Sequence, residues 1–269
     1  MLTAEQLRSI MPATPVQKRE ALLPFLQAAM SEFAIEAPAR AAAFLAQLAH
    51  ESGQFRFMEE IWGPTPAQRR YEPVSTLAAT LGNTEAGDGR RFKGRGPIQI
   101  TGRSNYRRFG DLLGADLVSD PARAAIPEVA FRIAGLFWSK KGLNELADLA
   151  TPEAFREITR RINGGFNGLE ERRKFYGIAC ATLGVGEAPR TRGGSPAVPG
   201  ESDEPVFDRG YEAIQRHRRR RSPARRKPAA RKKTAAGRKT AGTRRSAPRP
   251  RSRTRGVSVR KTNRKKSRR

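Results

Sequence analysis

The stretch PARAAAFLAQLAHESGQF, residues 38–55, decides how the rest of the chain is read. Pro38 suits the first position of a helix, where its missing N–H costs nothing. Ala41, Phe44, Leu45 and Leu48 then recur at helical spacing, and Gly53 marks a stop. The pattern predicts an apolar helix with a carboxylate, Glu51, at its very end. Leu48, Phe55 and Phe57 could wall that carboxylate, and an apolar wall favours the protonated form that an acid catalyst needs near neutral pH. A surface glutamate close to a helix end is the commoner arrangement.

Outward from this helix the chain reads as mostly helical over residues 1–184. Before it, Leu22, Phe25, Leu26, Ala29 and Phe33 lie on one stripe, and Thr14 to Gln17 has the pattern of a capping box with Pro15 opening the helix. Residues 54–105 are poor in helical period and rich in Gly and Pro, which predicts loops with a short β-hairpin near 90–101. A further helix starts after Pro127 and stops at Gly142, with Val129, Ile133, Leu136 and Phe137 inward. Another runs from Pro152 to Gly164, burying Phe155, Ile158 and Ile162. The last spans about 169–183, with Leu169, Tyr176, Cys180 and Leu183 on one stripe.

Three more stretches carry chemistry. Glu59 and Glu60 follow Glu51 closely, and nine residues of continuous helix would set Glu51 and Glu60 on opposite sides. They can share a cleft only if the chain folds back after Gly53. GRGPIQITG at 94–102 and Ser104-Asn105-Tyr106 offer a close backbone approach and neutral polar groups suited to sugar hydroxyls: Gln99, Thr101 and Asn105. No Gly-Lys-Ser/Thr follows, so this is no phosphate loop. INGGFNG at 162–168 sets two Asn and three Gly at a helix end, with Arg172 one turn into the next helix. Taken singly, each stretch also fits a plain structural turn or a solvated acidic pair.

Together these stretches resemble the family 19 glycoside hydrolases, the chitinase group that includes phage endolysins and bacterial lysozyme-like members. AHESGQF, the Glu60 position, GDGRRFKGRGPIQITGRSNY (87–106) and INGGFNG fall in that family's order across roughly residues 20–184. The resemblance implies a mainly α, two-lobed, lysozyme-like fold. It implies Glu51 as general acid, Glu60 as general base and Thr101 as a holder of the attacking water. His50, Gln99, Asn105, Asn163 and Arg172 are implied as groups that bind substrate or tune the carboxylates. It also implies an inverting reaction, in which the two carboxylates stand apart with a water between them. Glu59 leaves the base ambiguous by one residue. The cysteines of the plant members and a chitin-binding module are missing. That tilts the expected substrate toward peptidoglycan, with chitin still open. A lytic transglycosylase, which needs only one carboxylate, is the alternative within enzymes. None of this chemistry asks for a metal or cofactor.

Charge divides the chain. Of its 53 Lys and Arg, 26 lie from Arg216 onward, where there is no Asp or Glu; the first 215 residues hold 27 basic groups against all 26 acidic ones. Residues 1–184 are therefore expected to form a near-neutral catalytic domain, 185–215 a flexible Gly/Pro/Ser-rich linker with room for a helical turn at 206–215, and 216–269 a disordered polycationic tail. Such a tail binds polyanions by counterion release: lipopolysaccharide, an anionic envelope or nucleic acid. No aromatic follows Tyr211, so base stacking is not available to it. A nucleic-acid-binding protein with an inactive enzyme body is the reading that rests on the tail alone. The single cysteine, Cys180, allows no internal disulfide. The opening MLTAEQLRSIMPATP has neither a secretory signal pattern nor a membrane span, which predicts a monomer made in the cytoplasm that reaches the wall by another route.

Overall fold

The computed structural model describes residues 1–186, and the expected linker and tail lie outside the described residues, save Val185 and Gly186. Among the described residues the regular structure is helical: α1 (Ala4–Ile10), α2 (Val16–Glu32), α3 (Pro38–Glu51), α4 (Thr76–Leu81), α5 (Asp88–Arg91), α6 (Arg103–Leu113), α7 (Pro127–Lys140), α8 (Leu143–Asp148), α9 (Pro152–Asn163) and α10 (Leu169–Leu183). Short 3₁₀ turns sit at Gln68–Tyr71 and Pro121–Ala125.

Helix α3 is the centre of the fold. Every residue from Ala41 to Ala49 is buried, so it is surrounded rather than merely amphipathic. Its alanines let α10 pack closely along it, while α1 and α8 also touch it. Phe44 meets the Trp138 ring of α7 edge-on at 5.2 Å, and Phe155 of α9 stacks on Tyr176 of α10 at 4.1 Å. A smaller apolar cluster of Tyr71, Leu77 and Leu81, with Trp62 against it, sits apart from the main core. The mainly α expectation is what the structure shows.

Several local expectations need correction. The capping box at residues 14–17 does not form: Pro15 is the cap residue of α2, and the Thr14 hydroxyl instead donates to Gln54 O at 2.9 Å. The hairpin at 90–101 reduces to isolated bridges, Arg95 with Ile100 and Glu59 with Arg95, because the segment is too short and Gly-rich to extend a ladder. The stretch 54–105 is not all loop: it holds the 3₁₀ turn, α4, α5 and the start of α6. On α10 the deepest residues are Arg172 and Ala179, not the stripe through Leu169 and Leu183.

Candidate active site

The chain leaves α3 through an unusual turn. Gly53, Gln54 and Phe55 all have positive φ, at 57°, 60° and 59°. Two consecutive side-chain-bearing residues in this region carry strain that the surroundings must hold. Phe55 is buried and meets the Phe131 ring edge-on at 5.3 Å. Its N–H donates to Ser52 Oγ at 2.7 Å, and Gln54 N donates to Ala49 O at 2.7 Å. This reversal breaks the helical register between Glu51 and Glu60, as the Gly53 stop suggested.

Glu51 stays with the helices. Its side chain is 4 % exposed and forms an ion pair with Arg172, whose side chain is 1 % exposed. Arg172 also donates to Gln47 Oε1, one turn before Glu51 on α3, and to Asn167 O at 3.3 Å. Gln47 in turn donates to Thr159 Oγ1 of α9 at 2.9 Å. Asn163 Nδ2 donates to the same Asn167 carbonyl at 3.0 Å, so the INGGFNG loop is tied down from both flanking helices. His50 Nδ1 lies 2.8 Å from a Glu171 carboxylate oxygen. Burial and the nearby Arg172 cation hold its pKa below the usual histidine value. The His50 ring lies against Gly168, where a Cβ would clash with it and where φ is +69°. Only glycine fits that position.

Glu60 belongs to a second cluster. Segment 58–60 runs antiparallel to 94–96, with Glu60 N bonded to Gly94 O and Gly96 N to Met58 O, both at 2.8 Å. Adjacent residues of extended chain point to opposite faces, which separates the two glutamates. Glu59 pairs with Arg95 at 3.0 Å and Lys93 at 3.2 Å. Glu60 instead accepts from Gly94 N at 3.0 Å and Gln68 Nε2 at 3.1 Å. A Cβ placed on Gly94 would sit 2.8 Å from Gln99 Oε1, 3.3 Å from Thr101 Oγ1 and 3.4 Å from Glu60 Oε2. The three polar groups therefore converge on one glycine. Gln99 reaches this spot with φ of 56°, held by its amide donating to Gly96 O at 2.8 Å. Thr101 Oγ1 donates to Gln99 O at 3.0 Å, and Asn105 Nδ2 donates to Thr101 O at 2.7 Å.

Behind this cluster a buried Asp88–Arg103 pair, at 2.6 Å and 2.8 Å, fixes both ends of the Gly-rich segment. Burial alone would raise the Asp88 pKa, but the Arg103 guanidinium and the Thr84 and Glu85 amides hold it below the usual range. The structure thus gathers the predicted residues into two groups: Glu51, His50, Asn163 and Arg172 in one, Glu60, Gln99, Thr101 and Asn105 in the other. Sequence reasoning missed Gln47, Gln68, Thr159 and Glu171. For Gln47 a signal existed: it is the one amide on an otherwise apolar helix, four residues and one turn before Glu51.

Comparisons with known proteins point the same way. The family model for chitinase class I matches residues 28–148. A glycosyl hydrolase family 19 domain-containing protein of Haemophilus influenzae is 37 % identical over 164 residues, covering 52 % of this chain and 78 % of that protein. An Arabidopsis thaliana endochitinase, At2g43610, is 40 % identical over 151 residues, covering 54 % of this chain and 48 % of the plant protein. The chain therefore spans about half the length of that plant relative. Among solved structures, chitinase C from Streptomyces griseus superposes with a TM-score of 0.55 at 22 % identity, over 70 % of this chain and 94 % of that one. A class IV chitinase from Zea mays gives a TM-score of 0.52 at 26 % identity, over 70 % of this chain and 95 % of that one.

Proposed function

The chain belongs to glycoside hydrolase family 19, and on that premise we propose that it hydrolyses β-1,4 linkages of N-acetylglucosamine-containing wall polymers with inversion. Peptidoglycan is the preferred substrate and chitin the alternative. Glu51 is the general acid. It sits where α3 ends, gives its own proton to the leaving oxygen, and is left as the carboxylate that Arg172 stabilises. Glu60 is the general base. The observation that carries this reading is the convergence of Glu60 Oε2, Thr101 Oγ1 and Gln99 Oε1 around Gly94, a position left clear of any side chain. Glu59 is occupied by Arg95 and Lys93 and serves the scaffold. His50, Asn105 and Asn163 contact substrate, and Gln99 adds to the sugar contacts.

In this reading the tail concentrates the enzyme on an anionic envelope, since residues 216–269 bring 26 positive charges and no acid. The enzyme is made in the cytoplasm and acts on the wall after release or by another export route. Product analysis on purified peptidoglycan and colloidal chitin side by side, with NMR of the first anomer released, tests the proposal. An α-anomer from a β-linked polymer is expected. Products ending in 1,6-anhydro sugars would mean a transglycosylase and end the two-carboxylate mechanism.

A further inference from the structure

An open hollow of about 580 Å³ lies between α1 and the start of α2, lined by Arg8, Ser9, Pro12, Thr14, Val16 and Arg19 among others. Its chemistry is one-sided. Arg19 is only 5 % exposed, and its side chain makes a single hydrogen bond, Nη1 to Thr14 O at 3.2 Å. Its Nε is buried with no acceptor. Among the described residues no carboxylate pairs with this guanidinium. A buried cation without a counter-charge is costly to keep.

The surroundings add to the positive field. The N-terminus of α2 opens here, its cap residue Pro15 has no side-chain acceptor to offer, and the first turn holds no acid. Its amides therefore face outward with the positive end of the helix dipole. Arg8 stands on the rim, loosely paired with the exposed Glu5 at 3.6 Å. A guanidinium lining the hollow beside the first turn of a helix offers donors to a planar anion.

The hollow is also bolted to the candidate active site. Ala13 N donates to Gln54 Oε1 at 2.8 Å, and Thr14 Oγ1 donates to Gln54 O at 2.9 Å. Gln54 is the middle residue of the strained turn that follows Glu51. Chitin carries no charge, whereas peptidoglycan carries carboxylates on its peptide stems and on any lactyl ether that bears no stem. We infer that the Arg19 hollow binds a substrate carboxylate and so selects peptidoglycan over chitin, an inference that rests on the wall-polymer reading above.

The test compares the full-length wild-type chain with Arg19→Met and Arg19→Lys. The readout is the ratio of kcat/KM on soluble peptidoglycan fragments to that on glycol chitin. Arg19→Met is expected to lower this ratio about tenfold, mainly through KM on peptidoglycan, with Arg19→Lys recovering part of it. An unchanged ratio, or equal losses on both polymers, overturns the inference. Should Arg19→Met fail to fold, Arg8→Gln on the exposed rim must lower the same ratio to a smaller degree, and no drop there overturns it as well. If the wild-type enzyme does not cut peptidoglycan at all, the substrate reading fails, and an NMR titration with N-acetylmuramic acid judges the hollow by itself. Saturable shifts in α2 amides that N-acetylglucosamine does not produce uphold an anion site; their absence refutes it.

Discussion

Replacing Arg172 with methionine should unfold the protein more easily in a way that depends on pH. Arg172 and Glu51 are 1 % and 4 % exposed, and each is the other's charge partner. Methionine fills much of the space but leaves a buried carboxylate without its cation. It also strips a donor from Gln47 Oε1 and from Asn167 O. Removing one partner of a buried pair costs about 3–5 kcal/mol. For a domain of this size each kcal/mol moves Tm by about 2–4 °C, so a drop of roughly 6–20 °C is expected near pH 7. Most of the penalty falls on the ionised carboxylate. Stranded and buried, the carboxyl favours its protonated form in the folded variant more than in the unfolded chain, so the deficit is fully present above its raised folded value and shrinks as pH falls from there toward the ordinary carboxylate range. Adding Glu51→Gln to Arg172→Met removes the stranded charge and should restore part of the loss. Circular-dichroism melts of the four proteins of this cycle between pH 4 and 8 decide the matter. A deficit under 2 °C, or one that is the same at every pH, would refute the claim that these two side chains form a dry, mutually dependent pair.

Exchanging the adjacent glutamates should separate their roles: Glu60→Gln is expected to lower kcat by about 10²–10⁴-fold, while Glu59→Gln costs under tenfold and chiefly lowers Tm, as initial rates and melts will report. Gly168→Ala puts a Cβ where φ is +69° and drives it into the His50 ring, so both Tm and activity should fall, and a variant that melts like wild type would contradict the close approach of ring and backbone at this position. His50 is held neutral by burial and Arg172, with its pKa below the unfolded value of about 6.5; its stabilising share is complete above that pH and is lost as pH falls toward the folded value, so His50→Gln should flatten the acid limb of a Tm-versus-pH curve below about pH 6.5. Truncation at residue 205 should leave hydrolysis of soluble substrate intact and weaken binding to anionic envelopes, most visibly at low salt; collapse of soluble-substrate turnover would place the tail inside the catalytic unit.

What the sequence disclosed, and what it hid, follows from the range of the interactions involved. The helices 38–51, 127–140 and 152–163 were legible because each carries apolar residues at helical period between a Pro and a Gly, while 169–183 was marked by the glycines at its two ends. Helices α4 and α5 are six and four residues long, too short for any period to register, and they are held by the Ser75 cap and the Asp88–Arg103 pair instead. The missing capping box has a similar cause. Pro15 rather than Thr14 takes the cap position of α2, and Thr14 donates its hydroxyl to Gln54 O, 40 residues away. The choice between Glu59 and Glu60 also turned on a distant segment, since only pairing with 94–96 shows which face each one takes.

The two halves of the site are built by opposite means, and that bears on what each can do. The Glu51 group hangs on three packed helices, where Gln47 and Asn167 hold Arg172 and Thr159 in turn holds Gln47. In the proposed role of proton donor Glu51 gains from such rigidity, because the carboxylate it becomes meets a cation already in place. The Glu60 group is carried on extended, Gly-rich backbone, with Gly94 leaving room that a side chain would fill. A base that must admit a water and a sugar ring needs that space. The strained turn at Gly53, Gln54 and Phe55 joins the two, and its anchors at Thr14 and Ala13 lie in the segment that also presents the Arg19 hollow. Substrate charge read at that hollow would therefore act on the stretch of backbone that joins the proposed acid to the proposed base.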